Sequence, residues 1–169
     1  MLNALARTCF VGLLLSGAMC AQKPVGCPLE TAKNGDILTL RGEAVHGAHD
    51  GLIRIAGCAD EVLLAYADDP NLHESKLSLK KDETFQKFVE YFSAERPPQP
   101  KVVCRECWKY RVTAEFTGRL DIADSAGWKK DAKTGKLTGL VGFGHPMPFT
   151  RYRLVITSVS KVEAAETQP

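Results

Sequence analysis

A small, mainly β fold with one helix is what the sequence predicts, and three observations predict it. Several runs carry apolar residues at every second position, one central stretch switches to three- and four-residue spacing, and Gly- or Pro-marked breaks separate them. The clearest run is Lys109 to Ile122. Tyr110, Val112, Ala114, Phe116, Leu120 and Ile122 alternate there with Lys109, Arg111, Thr113, Glu115, Thr117, Arg119 and Asp121, so one face lies in a core and the other in water. Gly118 falls in the apolar register, where a missing side chain lets a strand bend or another backbone approach. Strong curvature there suits a barrel.

Upstream, Ile37 to Val45 places Leu38, Leu40, Gly42 and Ala44 on one face. Asp50-Gly51 is a hairpin signal, and Leu52 to Ala56 follows with Ile53 and Ile55 facing inward. Val62 to Tyr66 completes a three-stranded meander. From about Asp82 to Ala94 the apolar residues Phe85, Phe88, Val89 and Phe92 recur with helical spacing, and Pro97, Pro98 and Pro100 end the helix. Gly127 to Pro148 is Gly- and Lys-rich and reads as a loop. Arg151 to Val162 reads as the last strand, with Tyr152, Leu154, Ile156, Ser158, Ser160 and Val162 on one alternating face. Glu163 to Pro169 is a short polar tail expected to fray.

The order along the chain is therefore β-β-β-α-β-β, which is the order of the OB-fold, a five-stranded Greek-key barrel with its helix between the third and fourth strands. A different small β-barrel, or an open sheet capped by the helix, shares that order. Four short motifs accompany it: Leu40-Arg41-Gly42, Gly57-Cys58, Phe116-Thr117-Gly118-Arg119 and Gly142-Phe143-Gly144-His145. On these the chain resembles, over roughly residues 27 to 162, a family of small exported bacterial proteins of uncharacterised function. The resemblance implies the OB-like core and brings no activity with it. Pro146-Met147-Pro148 and the pair Cys104 and Cys107 depart from the family pattern.

Residues 1–21 read as an export signal: Arg7 is the only charge, an apolar stretch runs from about Cys9 to Leu15, and small residues follow. Cleavage near Ala18 to Ala21 is the expected processing. Retention as an anchor and lipidation at Cys20 are the alternatives, Met19 departing from the usual residue before a lipidated cysteine. The expected location is periplasmic or secreted, with Cys20 as the point of any membrane anchor. Residues 22–162 then form one domain. No second long apolar run follows, so no span is expected in the mature domain. The formal net charge of the whole chain is only +2, which makes nucleic acid an unlikely partner.

Six cysteines occur, and loss of Cys9 and Cys20 with the leader leaves Cys27, Cys58, Cys104 and Cys107. An even number in an exported chain points to disulfides, with Cys27 to Cys58 and Cys104 to Cys107 the favoured of three pairings. A redox dithiol at Cys104-Arg105-Glu106-Cys107 lacks the helix N-terminus that would stabilise a thiolate, and Trp108 stands where a haem motif needs histidine. His46, His49 and His145 lie in loops that OB barrels use for ligands, so with Trp128 and Phe143 they are the candidate rim. No Gly-x-Ser-x-Gly elbow, His-Glu-x-x-His helix or phosphate-binding glycine loop is present. The expectation is a non-catalytic exported module without a cofactor, binding a small ligand, a glycan or an envelope protein through that rim. The alternative is a thiol or metal protein using Cys104 and Cys107, or His46, His49 and His145.

Overall fold

A computed structural model describes residues 26–46, 50–72, 76–95, 108–145 and 149–167. Strand β1 is Ile37–His46, β2 is Gly51–Arg54 and β3 is Val62–Tyr66; helix α1 is Glu83–Phe92, and β4 (Tyr110–Ile122), β5 (Gly127–Lys130), β6 (Leu137–Val141) and β7 (Tyr152–Glu166) follow. Strands β1, β2, β3, β7 and β4 pair in that order and β4 pairs back onto β1, closing the sheet into a barrel. All contacts in the ring are antiparallel except that between β3 and β7, which is parallel. Closure leaves no edge over the lengths that pair, which removes a route to aggregation.

The interior follows the alternation. Leu40, Ala44, Ile53, Val62, Leu64, Val112, Ala114, Phe116, Leu120, Leu154 and Ile156 form one buried cluster. Helix α1 adds Phe85 and Phe88 to it, with Phe88 edge-on to Phe116 at 5.4 Å between ring centroids. Asp82 starts the helix because its carboxylate Oδ1 accepts the Phe85 N–H at 3.0 Å, satisfying a donor the first turn would otherwise leave open. Val89, expected on the apolar face, is exposed instead; the helix packs chiefly through Phe85, Phe88 and Phe92. A second buried cluster on the outer wall joins Ala65, Ala67 and Val155 to Leu72, Leu77 and Leu79, so the segment before the helix covers the outside of β3 and β7.

Two glycines let backbones meet inside this wall. A Cβ on Gly42 would stand 2.5 Å from Ile53 Cγ2 and 2.6 Å from the Arg54 carbonyl oxygen, where β1 passes from pairing with β4 to pairing with β2. A Cβ on Gly118 would stand 2.3 Å from the Val155 carbonyl oxygen. The ladder between β4 and β7 shifts register between Thr117 and Gly118, as expected where one strand bulges against another.

Three expectations need correction. The order along the chain is not β-β-β-α-β-β, because the stretch read as a loop contains β5 and β6, a hairpin paired only with itself. The last strand does not end at Val162: β7 pairs with β4 as far as Glu166, so residues 163–166 belong to the sheet rather than to a tail. Its core face also changes parity. Ser158 opposes Thr117 while Ile156 opposes Gly118, leaving Thr157 as an extra residue, and Val159 rather than Ser158 or Ser160 turns inward opposite Phe116. A second shift falls where Lys161 has a positive φ of 48°.

Candidate functional site

A cleft of about 820 Å³ lies between β1, β2 and the link after β2. Alternation on β1 sends Leu40 and Ala44 inward, so Thr39, Arg41 and Glu43 point outward into this region. Arg54 ends β2, Glu61 and Cys58 come from the link, and Thr113 comes from β4. Cys58 is bonded to Cys27, which ties the N-terminal turn Pro28–Glu30, with its buried Leu29, against the floor of the cleft. The favoured pairing of Cys27 with Cys58 is therefore present. Cys104, Cys107, Cys20 and His49 lie outside the described residues.

Arg54 and Glu61 pair within the cleft, Glu43 and Arg41 pair with Arg111 and Glu163 beyond its lining, and Asp60 adds a further carboxylate. The Arg54 Nε donates to Glu61 Oε1 at 2.6 Å, the Arg111 Nε donates to Glu43 Oε1 at 3.1 Å, and the Arg41 Nη2 donates to Glu163 Oε2 at 2.8 Å. These exposed and half-exposed pairs add little to stability. They do hold guanidinium donors and carboxylate acceptors in fixed positions, which a ligand of several hydroxyls can hydrogen-bond. The volume lies within the range of roughly 300 to 1,000 Å³ usual for small-molecule sites. Its lining among the described residues holds the carboxylates Glu43, Asp60 and Glu61 and the hydroxyls of Thr39 and Thr113, with no histidine or free thiol.

His46 stands outside this cleft and is not an open rim ligand. Its ring stacks between Phe92, at 3.8 Å, and Trp108, at 3.5 Å between centroids, and its Nε2 donates to the Phe92 carbonyl at 2.6 Å. Because a carbonyl only accepts, the proton sits on Nε2. Burial lowers the His46 pKa below the ordinary imidazole value, against a smaller opposite pull from the Phe92 carbonyl and Glu95. The unfolded chain therefore binds more protons than the folded one just below pH 6.5, so stability contributed by neutral His46 falls as the pH drops through that value. Thermal unfolding followed from pH 7.5 to pH 5 is expected to show a fall in Tm that is shallower in His46→Phe, because that variant has no proton to take up at this position.

Comparison of the chain with protein-family profiles, curated proteins and solved structures finds no match.

The remaining rim candidates divide. The His145 backbone N–H donates to Asp50 Oδ2 at 2.7 Å, which brings the first hairpin turn and the loop before β7 together. Phe143 is half-buried under the Arg153 guanidinium, 4.5 Å from its ring centroid, and Arg153 is in turn held by Asp121 at 2.7 Å. It is therefore a packing residue of that loop. Trp128 alone among the named aromatic candidates is open, 53% exposed on β5. Among the described residues no group of three or more His, Cys, Asp or Glu side chains is placed to hold a metal ion, and no helix is long and apolar enough to cross a membrane.

Sequence reasoning missed Arg41, Glu43, Arg54 and Glu61 as site residues. Their outward register was legible, but the cleft is made by strands far apart in the chain. The usable signal lay in Leu40-Arg41-Gly42 and Gly57-Cys58, since Arg41, Gly42 and Cys58 all line the cleft.

Proposed function

We propose that this chain is an exported OB-like module that binds a small, hydroxyl-rich ligand such as a neutral glycan without transforming it, in the cleft beside Cys58. The observation that carries this reading is the 820 Å³ cleft on a closed sheet, walled by Arg41, Arg54 and the carboxylates Glu43, Asp60 and Glu61 and braced by a disulfide. The disulfide supports an oxidising compartment, in keeping with the leader-like first residues. The pairing order of the sheet supports the OB-like assignment, with β5 and β6 as an elaboration between the fourth and fifth barrel strands. Arg41 and Arg54 in the lining stand against Glu43, Asp60 and Glu61, a charge balance that favours a neutral ligand over a polyanion.

A thermal-shift screen against neutral mono- and oligosaccharides tests it. At a hundredfold excess over Kd a single-site ligand stabilises by about 2.7 kcal/mol, enough to raise Tm by several degrees. Arg54→Ala is expected to abolish the rise. A saccharide that raises Tm equally in wild type and Arg54→Ala contradicts the assignment.

A further inference from the structure

We propose that the β5–β6 hairpin is an interfacial anchor for anionic phospholipid bilayers. Trp128 opposes Leu140 and Lys130 opposes Leu137 across the hairpin, so these four side chains share one face. Three of them are large apolar groups left open, with Trp128 53%, Leu137 56% and Leu140 44% exposed. The hairpin pairs with no barrel strand, so this face is not explained by the core.

Charge favours a lipid occupant. Residues 127–141 contain Lys129, Lys130, Lys133 and Lys136 against one acid, Asp131, and so hold more net positive charge than the +2 of the whole chain. Asp131 is committed to the turn, where its Oδ1 accepts from the Lys133 and Thr134 N–H groups at 3.0 and 2.7 Å. The lysines are thus left as a local cationic cluster around an apolar face. Tryptophan and leucine settle at the boundary of headgroups and acyl chains, while lysine stems lie along the apolar region and their ammonium groups reach the phosphates. A sulfated glycan would match the lysines but make no use of Leu137 and Leu140. The inference goes beyond the cleft reading and does not rest on it.

The test is vesicle flotation of the processed protein at 0.15 M salt, using phosphatidylglycerol mixed with phosphatidylethanolamine against pure phosphatidylcholine. Binding is expected to the anionic vesicles and to be at least about tenfold weaker on phosphatidylcholine, each lysine near an anionic surface contributing roughly fivefold. Leu137→Ser with Leu140→Ser, compared on the same N-terminus, is expected to lower binding about tenfold with an unchanged circular dichroism spectrum. Quenching of tryptophan emission by brominated lipid should be lost in Trp128→Phe, which keeps Trp108. No flotation with anionic vesicles, equal binding to phosphatidylcholine, or undiminished binding by the double variant overturns the proposal; so does retention by a sulfated polysaccharide or an acidic protein without flotation. Saccharide binding in the cleft is read separately, so failure of either reading leaves the other to its own result.

Discussion

Gly118→Ala is expected to destabilise the protein by roughly 3 kcal/mol or more, at the upper end of overpacking changes, and to lower Tm by about 10 °C. The added Cβ would lie 2.3 Å from the Val155 carbonyl oxygen and 2.7 Å from the Ile156 Cα, both backbone atoms of the strand it pairs with. A side-chain neighbour could rotate away, but here β7 itself has to move, and β7 is shared by β3 and β4. Gly139→Ala is the matched control: it lies on the hairpin, its added Cβ meets nothing within 4 Å, and its effect is expected to stay within about 0.5 kcal/mol. Urea unfolding of the two variants measures the difference; equal midpoints would mean that β4 and β7 do not approach as described.

Cys27→Ser with Cys58→Ser is the second large effect. The bridge closes a chain segment with a sequence separation of 31, for which loop-closure entropy gives a loss of roughly 3.5 kcal/mol when it is removed. The loss has a functional side, because Cys58 is in the cleft wall and Cys27 precedes the turn that buries Leu29 against the core. The double variant is expected to unfold at lower urea and to lose saccharide binding even where it remains folded. Wild type treated with reductant should move to the same midpoint. A midpoint that reductant leaves unchanged would show that the bridge contributes nothing.

The parts of the fold that were legible in the sequence are those set by neighbours along the chain. Tyr110 to Ile122 alternates without interruption, and β4 occupies that span with Val112, Ala114, Phe116 and Leu120 buried. The spacing of Phe85, Phe88 and Phe92 likewise matches α1. Gly118, marked as a point of close approach, is one. What escaped depends on partners distant in sequence. An extra residue at Thr157 reverses the inward face of β7, and only pairing with β4 reveals it. Strands β5 and β6 are four and five residues long, mostly exposed, and interrupted by lysines and glycines, so they lack a buried face to announce them.

Site residues follow the same division. His46 read as a loop ligand because its stacking partners Phe92 and Trp108 are far away in the chain. Asp50 read as a turn residue, and its carboxylate also accepts from His145 in another loop. The arginine and glutamate residues of the cleft looked like the solvated side of ordinary strands. Only their placement around the link from Ile55 to Glu61 turns them into a concave wall.

Backbone amide shift mapping of the protein, titrated with the saccharide that gives the largest thermal shift, locates the ligand directly. The expected result is movement concentrated at Thr39 to Glu43, Arg54 to Glu61 and Thr113, where the residues lining the cleft lie. Perturbations confined to Trp128, Phe143 and His145, with those cleft amides unmoved, would contradict it and return the binding site to the loop rim.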